Sequence, residues 1–193
     1  MMKHILVIVA LFFSTLSFGQ NVQQEAWRNV KSIKADFTQE IKGEKGAIPV
    51  VYKGKLYAAN NKVKWLYTSP LAKEVYLEKT QAYIYEPQLQ QVTIGSLEES
   101  VDFIQILKRV QKIGKDSYKT QVGDITYYVI IKDSMPYELK YTDSIDNVVT
   151  IRFENVKMNT AIDNSVFIFQ PPDDVEYIDG FVMRGVSFKL GVV

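Results

Sequence analysis

Short runs of alternating apolar and polar residues recur along most of this chain, and they constrain the fold more than any other feature. In the run from Ala35 to Ile41, positions 35, 37 and 41 are apolar while 36, 38 and 40 are polar. Such alternation is typical of a strand with one buried face. The further runs are 50–57, 63–67, 74–78, 82–85, 90–94, 118–122, 125–131, 137–141, 148–153 and 166–169, with 181–193 as a candidate last strand. Their regular short spacing predicts a meandering antiparallel sheet, not βαβ units.

Two segments have helical spacing instead. Val22, Ala26, Val30 and Ile33 recur every three or four residues, with Trp27 beside them, which predicts an amphipathic helix of about three turns. A second stripe extends from Leu97 to Ile113, with acidic residues in its first turn and a glycine after its end.

About ten strands in one sheet must curl or close, and two amphipathic helices would cover the concave face. The predicted fold is therefore mainly β with a helical lid (α+β). It is an incomplete antiparallel β-barrel of about ten to eleven strands covered by amphipathic helices. No repeat or linker divides the chain, so residues 20–193 are expected to form a single domain and a monomer.

The N-terminal residues 1–19 have the pattern of a secretory signal. A basic start at Lys3 precedes an apolar run over 5–13, and Ser17 and Gly19 are the small residues before the expected cleavage site. We expect export, with the processed chain soluble outside the cytoplasm. Loss of Lys3 leaves equal numbers of basic and acidic residues, so nothing favours a nucleic-acid partner.

The chemistry open to the processed chain is limited. Its single histidine, His4, leaves with the signal, and the sequence has no cysteine. Triads that need histidine and zinc sites of His and Cys are therefore excluded. A Ser-Lys dyad or a carboxylate pair remains possible, but Asp143 with Asp146 has the pattern of a hairpin turn. We expect no enzymatic activity, no metal site and no cofactor.

Aromatic residues are concentrated in the first half of the processed chain, from Trp27 to Phe103. They could fill a packed core, since strands favour them. They could equally line an apolar ligand pocket in a sheet that two short helices cover incompletely. Periodicity does not decide between these two interpretations.

Three ordered stretches carry a family resemblance. The first is Ala35-Asp36-Phe37-Thr38-Gln39; the second is Gly54-Lys55-Leu56-Tyr57, followed by Lys64-Trp65-Leu66-Tyr67 and Pro70; the third is Phe167-Ile168-Phe169-Gln170-Pro171-Pro172-Asp173-Asp174-Val175. In this order and spacing, the chain resembles the periplasmic outer-membrane lipoprotein carrier family (LolA), from Gln20 to about Asp179.

The resemblance implies an apolar cavity that holds the acyl chains of lipoproteins. It also implies the partners: acylated lipoproteins as cargo, an ATP-driven inner-membrane lipoprotein-releasing transporter as donor, and an outer-membrane acceptor. The implied cavity wall is Phe37, Ile41, Tyr52, Leu56, Trp65 and Tyr67, and the implied lid is Val22, Ala26, Val30, Phe103, Ile104 and Leu107. Which strand face points inward stays open, because a shift of one residue inverts the wall.

One departure from the family pattern concerns the lid. Many members have a Lys-Arg-Pro segment before the tryptophan, and its arginine is thought to tie the closed lid. Here the corresponding residues are Ala58-Ala59-Asn60-Asn61-Lys62, so Lys62, Asn60 or Asn61 substitutes or the lid is held differently. Two alternative functions remain: a periplasmic sensor or scaffold of the same fold that binds a protein or another lipid, and a secreted serine-lysine hydrolase.

Overall fold

The computed structural model describes residues 26–97 and 102–183, and it shows one twelve-stranded sheet. The strands are β1 (Ser32–Lys42), β2 (Val50–Ala59), β3 (Lys62–Ser69), β4 (Lys73–Glu78), β5 (Gln81–Glu86), β6 (Gln91–Leu97), β7 (Gln111–Lys112), β8 (Ser117–Val122), β9 (Ile125–Lys132), β10 (Met135–Thr142), β11 (Val148–Met158) and β12 (Glu176–Met183). The one α-helix of the described residues is α1 (Phe103–Arg109).

The strand order is β12-β6-β5-β4-β3-β2-β1-β11-β10-β9-β8-β7, so the sheet does not close on itself. Neighbouring strands pair antiparallel, except that β12 pairs with β6 in parallel. Tight turns make the meander possible: Asn60 and Asn61 both have positive φ between β2 and β3, as do Asp133 and Ser134 between β9 and β10. Asparagine and aspartate tolerate this conformation well. The predicted incomplete antiparallel barrel is confirmed, with twelve strands in place of ten or eleven.

The helical predictions were partly wrong. In the described part of the stripe from Leu97 to Ile113, the helix is the seven-residue α1. Leu97 ends β6, and the chain after the helix pairs with β8 as β7. The helix ends at Arg109, with extended Val110 after it, so Gly114 is not its stop signal.

The predicted N-terminal helix is also shorter in its described part. Residues Ala26–Asn29 form a single 3₁₀ turn. Ile33 does not extend that helix but lies buried in β1, opposite Met158. Its position at helical spacing was coincidental, because an inward strand position also requires an apolar residue. The predicted signal over 1–19 and the position Val22 lie outside the described residues.

The segment after β11 crosses the outside of the sheet. The predicted strand 166–169 was wrong: Asn164–Phe167 is a 3₁₀ turn, capped by the Asp163 carboxylate, which accepts from the Ser165 amide at 2.8 Å. Phe169 then packs against the rings of Tyr76, Tyr83 and Tyr85. The predicted strand over 181–193 is described only to Met183, as the end of β12.

Alternation along the strands separates two faces of the sheet. We call the buried one the inner face; it merges with α1 into one hydrophobic core. In the portion of the chain that is described, no helix has the length and apolar character required to traverse a bilayer.

Candidate functional site

The register of the first three strands brings the predicted wall residues onto the inner face. Gln39 pairs with Tyr52 across β1 and β2, and Leu56 pairs with Trp65 across β2 and β3. All six share this face: Phe37, Tyr52, Leu56, Trp65 and Tyr67 are buried, and Ile41 is partly buried against the same core. The structure therefore decides the direction that the sequence left open.

The aromatic rings of this face meet edge to face. The Phe37 ring centroid lies 5.0 Å from that of Trp65 and 5.1 Å from that of Tyr67, with planes about perpendicular in both pairs. Tyr52 meets Tyr67 in the same way at 5.8 Å. Edge-to-face contacts of this kind stabilise by about 0.5–1.5 kcal/mol beyond the area they bury.

Gly54 makes this arrangement possible. It lies opposite Phe37, at an irregularity in the β2–β3 register. A Cβ atom at position 54 would lie 2.0 Å from the Leu66 carbonyl oxygen and 2.9 Å from the Phe37 ring. Only glycine fits, which explains its place in the second sequence motif.

The inner face becomes polar toward the C-terminal ends of β1 and β3. The Tyr67 hydroxyl donates a hydrogen bond to the Gln39 side-chain oxygen at 3.0 Å, and both residues are buried. Burial raises the pKa of the Tyr67 hydroxyl, so it stays a donor at all physiological pH values. Next to it, the Lys73 ammonium pairs with the Glu86 carboxylate at 2.8 Å.

The helix α1 covers the inner face. Phe103, Ile104, Ile106 and Leu107 are all buried, and the Phe103 ring lies 4.8 Å from the Phe153 ring of β11. Of the predicted lid residues, Phe103, Ile104, Leu107 and Val30 thus face the sheet core. Ala26 lies in the 3₁₀ turn, and Val22 lies outside the described residues.

Side-chain hydrogen bonds of Arg28 and Gln105 connect this cover to the rest of the fold. The Arg28 guanidinium donates from Nη1 to the Val110 carbonyl at 3.0 Å, at the C-terminal end of α1. It also lies over the Trp27 ring, 4.6 Å from its centroid. The Gln105 side chain donates to the Asn61 side-chain oxygen at 3.5 Å.

These contacts bear on the missing family arginine. Of the three residues considered from the sequence, Asn61 does contact α1, whereas Lys62 pairs with Glu78 at 3.1 Å. Arg28 was missed, because no sequence pattern indicates that a residue 82 positions before Val110 lies beside it.

The N-terminal end of α1 carries a buried carboxylate. Asp102 Oδ1 accepts from the Ile104 amide at 2.9 Å, which is N-cap geometry, and the side chain is almost fully buried. No described residue donates to its Oδ2 atom. Burial raises the pKa of the Asp102 carboxyl, although the bond from Ile104 and the charge of Lys108 act in the opposite direction.

The sequence also missed the second half of the inner face. Leu139, Ile151, Phe153, Tyr127 and Tyr141 are buried there, and the Tyr127 and Tyr141 rings lie 5.1 Å apart. The alternation of β9, in which 125, 127, 129 and 131 are buried, was the available signal.

The carboxylates that the sequence offered have structural roles or lie apart. Asp143 Oδ1 accepts from the amides of Ile145 and Asn147 at 3.0 and 2.9 Å, so the predicted hairpin turn is confirmed. Asp173 and Asp174 are exposed in a loop. Within residues 26–97 and 102–183, His, Cys, Asp and Glu form no group of three that could hold a metal ion.

A family model matches about half of this chain, and two curated relatives match most of it. The family model described as "Outer membrane lipoprotein carrier protein LolA" matches residues 28–126. An outer-membrane lipoprotein carrier protein of Helicobacter pylori is 37% identical over 174 residues, which cover 87% of this chain and 93% of the relative. Its counterpart in Helicobacter hepaticus is 36% identical over 179 residues, which cover 92% of this chain and 95% of the relative. A crystal structure of a LolA superfamily protein from Nitrosomonas europaea aligns with a TM-score of 0.45 at 11% identity, over 78% of this chain and 97% of that chain.

Proposed function

The chain belongs to the LolA family of outer-membrane lipoprotein carriers, and we propose that it holds lipoprotein acyl chains against the inner face of its sheet, beneath α1. The observation that carries this proposal is the apolar inner face of an unclosed sheet, covered in its described part by one short helix. The six wall residues and the α1 residues Phe103, Ile104 and Leu107 are the proposed acyl contacts.

The physical need for such a carrier is large. Each methylene removed from water contributes about 0.8 kcal/mol, so one exposed C16 chain costs on the order of 12 kcal/mol. A lipoprotein with several such chains would not leave a membrane unaided at a useful rate. A protein that exchanges its own apolar contacts for acyl contacts removes this barrier without any covalent chemistry.

In the structure the inner-face residues are buried, and α1 packs against them in the same hydrophobic core. Cargo must therefore displace α1, and the contacts of Arg28 and Gln105 oppose that displacement. Closure that competes with cargo weakens binding and favours release. We propose that α1 is the lid and that its fastening sets the balance between uptake and release.

The proposed route follows from the family. The carrier acts in the periplasm, receives acylated lipoproteins from an ATP-driven transporter of the inner membrane, and delivers them to an acceptor at the outer membrane. It works as a monomer and needs no cofactor. A sensor or scaffold of the same fold would instead bind a protein partner regardless of its acylation.

The test is photo-crosslinking from two positions of α1, one buried and one exposed. A benzoylphenylalanine replaces buried Phe103 in one variant and exposed Lys108 in the other. Each purified protein is incubated with a triacylated lipopeptide and illuminated. We expect crosslinks from position 103 and few from position 108, with competition by excess lipopeptide.

The same peptide without acyl chains is the control for a scaffold role. Equal crosslinking of the acylated and unacylated peptides would contradict the carrier proposal. So would equal crosslinking from the two positions, because the cargo would then lie outside the lid.

A further inference from the structure

The two ends of the sheet differ in the residues that their loops expose. Because β1, β3, β5, β8 and β10 run in the same direction, their C-terminal ends lie at one end of the sheet. We call this end the distal rim. The hairpin loops that follow these strands are 43–49, 70–72, 87–90, 123–124 and 143–147.

Four of these five loops each expose one large aliphatic side chain, whereas the fifth is Gly123-Asp124. The residues and their exposed fractions are Ile48, 90%; Leu71, 58%; Leu89, 61%; and Ile145, 56%. Val50 and Val51, at the start of β2, extend the first tip. Scattered exposed apolar residues are ordinary, but one at the tip of four successive hairpins along one edge is not.

The opposite end of the sheet has a different character. Its hairpins turn through Asn60-Asn61, Lys79-Thr80 and Asp133-Ser134, which are all polar. Ile113, between β7 and β8, is the one large aliphatic residue of the described turns there, and it is 49% exposed. Asn61 also contacts α1, so this is the end at which the lid helix is fastened.

The four tips follow the strand order without a gap. In the sheet, the β5–β6 loop is followed by the β3–β4, β1–β2 and β10–β11 loops. Successive hairpins lie two strands apart, about 10 Å. The tips therefore form a row roughly 30 Å long of separate apolar points, without a continuous groove.

We propose that the distal rim is a membrane-contact surface, whose four aliphatic tips insert into the interfacial region of a lipid bilayer. A bilayer accepts apolar side chains without any directional match, so a row of separated tips fits it. A surface that binds a protein partner has, in contrast, a compact apolar centre surrounded by polar residues. The inference rests on the proposed function for its purpose: contact would place the open sheet beside the lipid with which acyl chains exchange.

The charges of the rim indicate which lipids it contacts. Glu86 pairs with Lys73 at 2.8 Å, and Glu40 pairs with Lys42 at 2.7 Å. The rim loops themselves carry four acidic residues, Glu44, Asp124, Asp143 and Asp146, against one basic residue, Lys45. The rim therefore has no excess of positive charge to attract anionic lipids. Binding is expected to depend on apolar area, to occur on neutral vesicles and to resist salt.

The experiment measures flotation of the purified protein with phosphatidylcholine vesicles, at low and high salt. The gene is expressed with its own N-terminal segment so that the cell processes the product. The variants are Ile48→Glu, Leu71→Glu and their combination, and Ile113→Glu at the opposite end is the matched control. All three positions changed are exposed, and thermal unfolding checks the fold.

We expect the unchanged protein to float, each rim variant to bind at least tenfold more weakly, and Ile113→Glu to bind as before. Lipopeptide binding in vesicle-free solution should be the same in all variants. No flotation of a protein that binds lipopeptide would overturn the membrane inference and leave the carrier function standing. Equal losses of vesicle binding in Ile48→Glu and Ile113→Glu would also overturn it. Failure of the unchanged protein to bind lipopeptide would refute the carrier function itself.

Discussion

The sharpest prediction concerns Arg28, the residue that joins the N-terminal turn to the end of the lid helix. Its guanidinium donates to the Val110 carbonyl at 3.0 Å in a partly buried site. A hydrogen bond from a charged donor contributes about 1.5–3 kcal/mol. A positive charge beside the last carbonyls of a helix adds about 0.3–1 kcal/mol. The stacking on Trp27 joins sequence neighbours and persists when α1 moves away, so it does not favour closure.

Replacement of Arg28 by methionine should therefore destabilise the closed state by about 2–4 kcal/mol. At about 1.4 kcal/mol per tenfold, this shifts the opening equilibrium by roughly 30- to 700-fold. Because closure competes with cargo, Arg28→Met should tighten the binding of a triacylated lipopeptide by up to that factor. Release to acceptor vesicles should slow correspondingly.

The assay is a fluorescence titration with labelled lipopeptide, paired with thermal unfolding of the free protein. The matched control is Arg109→Met, which removes an exposed arginine from the last turn of α1. We expect tighter binding together with a lower unfolding temperature for Arg28→Met. The control should show at most the smaller effect of losing a helix-end charge, about 0.3–1 kcal/mol. Weaker lipopeptide binding by Arg28→Met would refute the reasoning, because it would mean that Arg28 supports the loaded state.

Three further predictions concern stability, measured by urea unfolding. Burial raises the pKa of the Asp102 carboxyl, so the folded state binds this proton more tightly than the unfolded state and stability falls as pH rises above about 4. Asp102→Asn keeps a capping oxygen without the charge, so it should raise the free energy of unfolding at pH 7 but not at pH 3. Asp102→Ala also loses the capping oxygen and should be about 1 kcal/mol less stable than Asp102→Asn. Identical pH profiles of stability for the wild type and Asp102→Asn would contradict this. Tyr67→Phe removes the hydroxyl that donates to the buried Gln39 oxygen at 3.0 Å, so the free energy of unfolding should fall by about 1–3 kcal/mol. Adding Gln39→Leu to the same chain should restore most of this loss, and additive losses in the double variant would exclude the explanation. Gly54→Ala should lower the free energy of unfolding by about 1–3 kcal/mol, because its Cβ would lie 2.0 Å from the Leu66 carbonyl oxygen. A variant as stable as the wild type would show that the backbone at the β2–β3 irregularity moves to make room at little cost.

Strand positions could be predicted from sequence because their signal is local. The alternation in 35–41 places Phe37 and Ile41 on one side of a strand wherever that strand lies. The same pattern was ambiguous at Ile33, where an inward strand position coincided with helical spacing. The stripe over 97–113 likewise mixed the end of β6, a short helix and β7, all of which require apolar residues for burial.

The sequence by itself determined the class of fold: many short amphipathic strands joined by tight turns can bury their apolar sides only in a curled antiparallel sheet. The ordered motifs also identified the family. Only the tertiary structure decided which face of each strand is covered, since that depends on register between strands far apart in the chain. It also decided the hydrogen bond between Arg28 and the end of α1 and the placement of four aliphatic tips on one rim. These residues are far apart in the chain, and only the folded sheet makes them neighbours.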